Sequence, residues 1–272
     1  MTVTTGDNHL QSLGTCPLPV SHYEHIMLGH GSGGQLTADL KRIVASMRDA
    51  CREANVALVT GDTKVVDLGK GDGVFISTTG VGVVAPGVHI GGDQALAGDA
   101  VLVSGTLGEH GVAVLSSRAA MEFETSIASD TAALHGLVAA LLSSLPAGSL
   151  HVLRDPTRGG LATTLNEITR QSGVGMLIDE NFIPVLPQVQ AACELLGLDP
   201  LYIANEGKMV VICASDVAEA ALACLHEHPL GKAACRIGTV TVDPHGFVQM
   251  QTRMGGRRVV DWLSGEQLPR IC

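Results

Sequence analysis

The segment LHVLRDPTRGGLATTLNEI, Leu150 to Ile168, runs from an apolar strand pattern through a glycine pair into a helical stripe. LHVLRD reads as a strand that ends at Asp155, and Thr157 is placed to cap a helix. Arg158, Gly159 and Gly160 open that predicted helix, which reaches Gln171 and carries its apolar residues Leu161, Leu165 and Ile168 on one face. A strand carboxylate beside a glycine-rich helix start can hold a polyphosphate through a cation, with Asp155 as ligand. A helix-capping turn with an Asp–Arg pair is the plainer reading of the same residues.

Outward from this segment, strands and helices alternate along the chain. AVLVSG, GVGMLID, KMVVICAS, RIGTVTV, FVQMQ and RRVVDWL read as strands. Gly111–Met121, Thr131–Leu145, Val189–Leu196 and a stretch through Leu225 read as helices. Adjacent strands mixed with helix-separated strands predict an α+β fold, a mixed or antiparallel sheet covered by helices on one face. Upstream, Leu36, Leu40, Ile43, Met47 and Cys51 form one stripe of a helix lasting to about Ala54. VALVTGDTKVV and GVFISTTGVGVV alternate like two strands of a hairpin, and the glycine-rich APGVHIGGDQALAGD separates them from everything after Asp99. The expected organisation is a disordered polar leader over 1–28, a small N-terminal domain over 29–98, an α+β domain over 99–264, and a flexible tail over 265–272.

Composition narrows the function. The chain is 46% hydrophobic but only 3% aromatic, so its core is aliphatic, and a net charge of -10 gives no basic surface for nucleic acid or anionic lipid. The first residues carry no secretory pattern, and apolar runs such as GLVAALL are too short to span a bilayer. Seven cysteines without a Cys-x-x-Cys pair argue against a disulfide framework and a zinc ribbon, and fit a reducing cytosol. Cys193, Cys213, Cys224 and Cys235 fall in apolar stretches and read as small buried hydrophobes. Cys272 is the last residue, carried beyond a proline.

Three further constellations accompany the strand–glycine–helix segment. HGSGG, His30 to Gly34, precedes a helix, where free main-chain N–H groups and the Ser32 hydroxyl could receive a phosphate, or simply cap the helix. In TGDTKVV, Asp62 and Lys64 stand two apart, on one face if the segment is a strand, as an ion pair or as parts of a site. In IANEGK, Glu206 lies in a turn before a strand, where a carboxylate is ordinarily solvated.

Taken together, HGSGG, VTGDTKVV, RDPTRGGLATTLNEI, ANEGK and the terminal PRIC resemble the HypE family of hydrogenase-maturation carbamoyl dehydratases, from about His30 to the last residue. That family sits in the ATP-using superfamily of aminoimidazole ribonucleotide synthetase, selenophosphate synthetase and thiamine monophosphate kinase. The resemblance implies that a partner carbamoyltransferase loads a carbamoyl group on Cys272. ATP is then used to dehydrate it to a thiocyanate, and the cyanide equivalent passes to iron on a scaffold complex for a nickel–iron hydrogenase. It further implies Glu206 as base and Lys64 as the cation at the phosphate. Asp155 would bind magnesium, Asp62 would border the nucleotide, and Ser32, Gly33 and Gly34 would lie over the phosphates. Family members form a homodimer through the first domain.

In one respect the sequence departs from the family. HGSGGQLTADL runs directly into KRIVASM, without the intervening strands and acidic residues that supply the superfamily's other magnesium ligands. The expectation is an intact second domain, a reduced first domain whose hairpin lacks sheet partners, and Asp155 short of carboxylate company. Two alternatives stand beside the dehydratase. One is a non-catalytic remnant that docks maturation partners. The other is an ATP-using enzyme with a small-molecule substrate, which lacks the reactive cysteine it would need near HGSGG, Cys16 being too far away.

Overall fold

The computed structural model describes residues 33–67, 70, 74–118 and 127–263. The chain divides into two units, residues 1–52 and 53–272. In the first, helix α1 spans Gly33–Glu53, and Gly33 and Gly34 are its opening residues. Ile43, Met47 and Cys51, three of the five residues expected on its stripe, are half-buried, whereas Leu40 is exposed.

The second unit carries a seven-stranded sheet. Its elements in chain order are β1 (Ala100–Val103), α2 (Glu109–Arg118), α3 (His135–Ser144), β2 (Leu150–Arg154), α4 (Gly160–Ser172), β3 (Gly175–Asp179) and α5 (Pro187–Leu196). Next come β4 (Val210–Cys213), α6 (Ala218–Glu227), β5 (Cys235–Thr241), β6 (Val248–Gln251) and β7 (Arg257–Val259). The strand order is β2-β4-β1-β5-β3-β6-β7, antiparallel at every pair except β3–β6, with Ala100 opposite Cys213 and Met176 opposite Val248. The fold is α+β with a mixed sheet, as the alternation of elements predicts.

The helices cover both faces rather than one. Val101, Val103, Val210 and Ile212 point to the side where α4 packs Leu161, Leu165 and Ile168. Ala100, Leu102, Val211 and Cys213 point the other way, against Leu137 and Leu141 of α3 and Ala221 and Leu225 of α6. AVLV and VVIC are buried at every position, so neither strand has a polar alternate residue. That unbroken apolar run is the signature of a strand enclosed on both sides, and it contradicts a single covered face.

Helix α4 is set by its two ends. Gly159 precedes it with φ 74°, and Gly173 closes it at φ 67° with its N–H donating to the Thr169 carbonyl. The stripe between them is buried, with Asn166 donating to the Val260 carbonyl at 2.9 Å and so fastening the helix to the chain after β7.

The hairpin expected over 56–84 is not formed. Among its described residues none is in a strand, and Val59, Val81 and Val83 are 86%, 97% and 99% exposed. Two strands alone are marginal in water, and strand propensity is realised only where a neighbouring strand and a covered face exist. With no third strand among the described residues around it, the period-two pattern has nothing to pair with.

Buried thiols make one consequence measurable. Cys193 and Cys213 are enclosed, and desolvation pushes both up to about 11 from an ordinary value of 9.0. The unfolded chain releases these protons first, so stability is full below pH 9, falls as the pH rises, and has lost this contribution above about pH 11. Urea midpoints measured from pH 8 to pH 11 are expected to decline, and Cys193→Ala with Cys213→Ala to flatten the decline.

Candidate functional site

At the end of β2 the chain turns through Asp155, Pro156 and Thr157 into Gly159 and Gly160. A cleft of about 420 Å³ opens there, walled by Asp155, Thr157, Arg158, Thr163 and Glu167, with Trp262 and Leu263 at its other side. Arg154 and Glu167 close an ion pair at 2.7 Å, which commits that carboxylate. The Thr163 hydroxyl is buried without a hydrogen-bond partner, an acceptor or donor left over in the cleft wall.

Gly160 carries the tightest constraint. Its φ is 61°, and a Cβ there would lie 2.5 Å from the Leu201 carbonyl oxygen and 2.6 Å from that of Ile203. Only glycine lets the start of α4 approach this backbone. Gly160→Ala is expected to cost about 1–3 kcal/mol in backbone strain alone. A fall in Tm of about 2–12 °C is the expected reading by calorimetry.

A second loop is fastened to the first. Asn205, fully buried, donates from both its main-chain N–H (3.1 Å) and its side-chain amide (3.0 Å) to the Pro156 carbonyl. Its amide also donates to the Ile203 carbonyl, and its Oδ1 accepts from the Gly108 N–H at 2.8 Å. One side chain thus ties together the turns before α2, before α4 and before β4. Glu206, next in sequence and half-buried, is held beside the Asp155 turn, its N–H donating to Asp130 Oδ1 at 3.1 Å.

Of the residues expected at the site, Asp155 lines the cleft, whereas Glu206 does not line it and follows Asn205, which is bonded to Pro156 next to Asp155. Asp62 and Lys64 lie on the exposed, strandless chain and neither lines the cleft, so the expectation that a strand would present them on one face does not hold. The Asp62 carboxylate accepts from the N–H of its neighbour Thr63 at 2.8 Å. Ser32 and Cys272 lie outside the described residues. Among the described residues no group of three or more His, Cys, Asp or Glu could hold a metal, and the cleft's carboxylates are Asp155 and the ion-paired Glu167. No helix is long and apolar enough to cross a membrane among those same residues. Sequence reading missed Asn205, Thr163 and Asp130; for Asn205 the signal was an amide in an apolar run, YIAN, where only a satisfied side chain is tolerated.

Two family models match the chain. Residues 97–251 match the family model "AIR synthase related protein, C-terminal domain" and residues 19–84 match its N-terminal counterpart. The chain is 68% identical over 235 residues to carbamoyl dehydratase HypE of Cupriavidus necator, covering 86% of this chain and 66% of that protein. Identity to the Azotobacter vinelandii protein of that name is 63% over 235 residues, 86% of this chain and 68% of the other. It thus spans about two thirds of the length of these curated relatives. Among solved structures, a hydrogenase maturation protein HypE in complex with ATP superposes with TM-score 0.81 at 49% identity, covering 86% of this chain and 70% of that one. A HypE–HypF complex superposes with TM-score 0.80 at 46% identity, covering 84% and 73%.

Proposed function

This chain belongs to the HypE family of AIR synthase-related proteins, and from that membership we propose that it is a hydrogenase maturation factor dehydrating a carbamoyl group on its own Cys272. The observation that carries the reading is the double hydrogen bond from Asn205 to the Pro156 carbonyl, which holds Glu206 beside the Asp155 turn.

The chemistry needs two things of a protein. An amide oxygen is a poor leaving group, and phosphorylation makes it a good one; a base must then remove N–H as the C–O bond breaks. In balance, the thiocarbamate on Cys272 and ATP give the thiocyanate, ADP and phosphate. The amide oxygen leaves in the phosphate, and the two N–H protons are lost, one of them to Glu206. The glycine turn at the start of α4 suits a phosphate oxygen. Ser32, Gly33, Gly34 and Asp62 are proposed to border the nucleotide, and Lys64 to meet developing phosphate charge. Magnesium would have Asp155 as a protein ligand and would need further ligands from outside the cleft, so no step is routed through it.

The tail supports the same reading, since Trp262 and Leu263 form the cleft rim and the residues from Ser264 to Cys272 come directly after them. At full extension a segment of that length reaches about 30 Å. HypF, the named companion in the HypE–HypF complex, stands for the carbamoyltransferase partner proposed here. The iron scaffold, a cytoplasmic setting and a homodimer weakened by the reduced first domain complete the proposal.

A second reading has its own observation. The exposure of Val59, Val81 and Val83, and the lack of a strand among the described residues of 56–84, favour a carrier that receives the carbamoyl group and leaves its dehydration to another copy of the family. Phosphate release separates the two. The dehydratase liberates phosphate from Mg-ATP only when Cys272 is carbamoylated, and Mg-ATP raises its Tm. A chain that Mg-ATP does not stabilise, and that leaves ATP intact when loaded, is the carrier.

A further inference from the structure

Beneath Glu206 lies a group of buried charges with no assigned role. Asp130, its side chain 2% exposed, accepts the Glu206 N–H through Oδ1. Its other oxygen stands 3.5 Å from Lys208 Nζ, which is also 3.4 Å from Glu109 Oε1; the Lys208 and Glu109 side chains are 14% and 8% exposed. The Thr106 hydroxyl donates to that same Glu109 oxygen. Gly207, between the base and the ammonium, packs so closely that a Cβ would meet the Asp130 carbonyl oxygen at 1.7 Å.

Stability is a poor reason for such an arrangement. Two carboxylates share one ammonium, and Glu109 Oε2 and Asp130 Oδ2 have no hydrogen-bond partner. Taking charges from water costs more than a loosely matched cluster returns, and apolar residues of similar volume would ordinarily do as well. What the cluster does fix is place. Asp130 holds residue 206 by its N–H and crowds residue 207, while Lys208 ties residue 208 to both Asp130 and Glu109. With Asn205 fastened to Pro156, residues 205 to 208 are each held.

We infer that Asp130, braced through Lys208 against Glu109, is a positioning residue that sets the main chain of Glu206 for proton abstraction. The inference rests on the reading of Glu206 as base. Asp130 touches no reacting atom; it acts through the peptide N–H of the residue that does. Small displacements of a catalytic group are expensive, about 100-fold in rate for 1 Å.

The test uses the full chain and two readouts. Hydrogen exchange at the Glu206 amide reports the clamp itself. Asp130→Ala should speed that exchange by about 10-fold or more, since a hydrogen bond to a charged acceptor is lost. Amides of β1 and β4 should stay at their wild-type rates. Asp130→Asn, which keeps an Oδ1 acceptor but loses the charge that pairs with Lys208, should fall between Asp130→Ala and wild type. Dehydration of carbamoylated Cys272 should lose about 10- to 100-fold in kcat in Asp130→Ala with KM for ATP unchanged, and Asp130→Asn should recover part of it. If Asp130→Ala does not fold, Lys208→Met carries the decision, with faster Glu206 exchange and a lower kcat expected. Unaltered exchange at Glu206, or a rise shared equally by β1 and β4, overturns the inference. A wild-type chain that never dehydrates its cargo overturns the functional reading instead, and the exchange data still decide the clamp.

Discussion

Cys272→Ser abolishes loading: after incubation with the carbamoyltransferase and a carbamoyl donor, the variant's terminal peptide is expected at its unmodified mass. A hydroxyl is a far weaker nucleophile than a thiol near neutral pH, since a few per cent of an ordinary thiol is already thiolate. Three of the described cysteines are poor substitutes for it. Cys193 and Cys213 are buried and pushed up to about 11, and desolvation also raises Cys235. Loading at another thiol would show as a carbamoyl mass on an internal peptide, and none is expected. Hydrogenase maturation in cells with no second copy should stop, and mass spectrometry of the peptide is the direct check.

Glu206→Gln separates loading from dehydration. The amide keeps the size of the side chain and leaves the Asp130 contact to the main-chain N–H intact. It removes the base, and general-base catalysis is worth about 100- to 10,000-fold. The variant should accept the carbamoyl group at the wild-type rate and then accumulate it, with dehydration slowed by about that factor. A variant that dehydrates normally would transfer the base's role to another group, and nothing on the far side of the Asn205–Pro156 tie would then have been explained.

How much of the fold and site was legible in the sequence depends on the range of the interactions. The glycine turn and stripe of α4 are local, and residues 154–168 declare them in full. The seven strands of the sheet were each legible, from either alternation or an unbroken apolar run, and AVLV and VVIC carried the further signal that both faces are covered. The hairpin over 56–84 was misread for the same local reason, because alternation records what a chain can do beside a partner strand, not whether the partner exists. The clamp was illegible. Asp130 meets Glu206 across 76 residues and Gly108 meets Asn205 across 97, and no spacing rule spans such distances. Asp155 was legible from the strand–glycine–helix segment itself, Glu206 took its role only from resemblance to a family, and the tie between their loops comes from Asn205, a residue that the resemblance had not singled out.

The central claim is that the chain removes oxygen from the one-carbon group on its own terminal sulfur. The most direct measurement tracks the mass of the Cys272 peptide in a single turnover, before and after ATP is added to the carbamoylated chain. The account predicts the loss of one water, complete with ATP and absent without it. A carbamoyl mass that persists unchanged in the presence of ATP contradicts it.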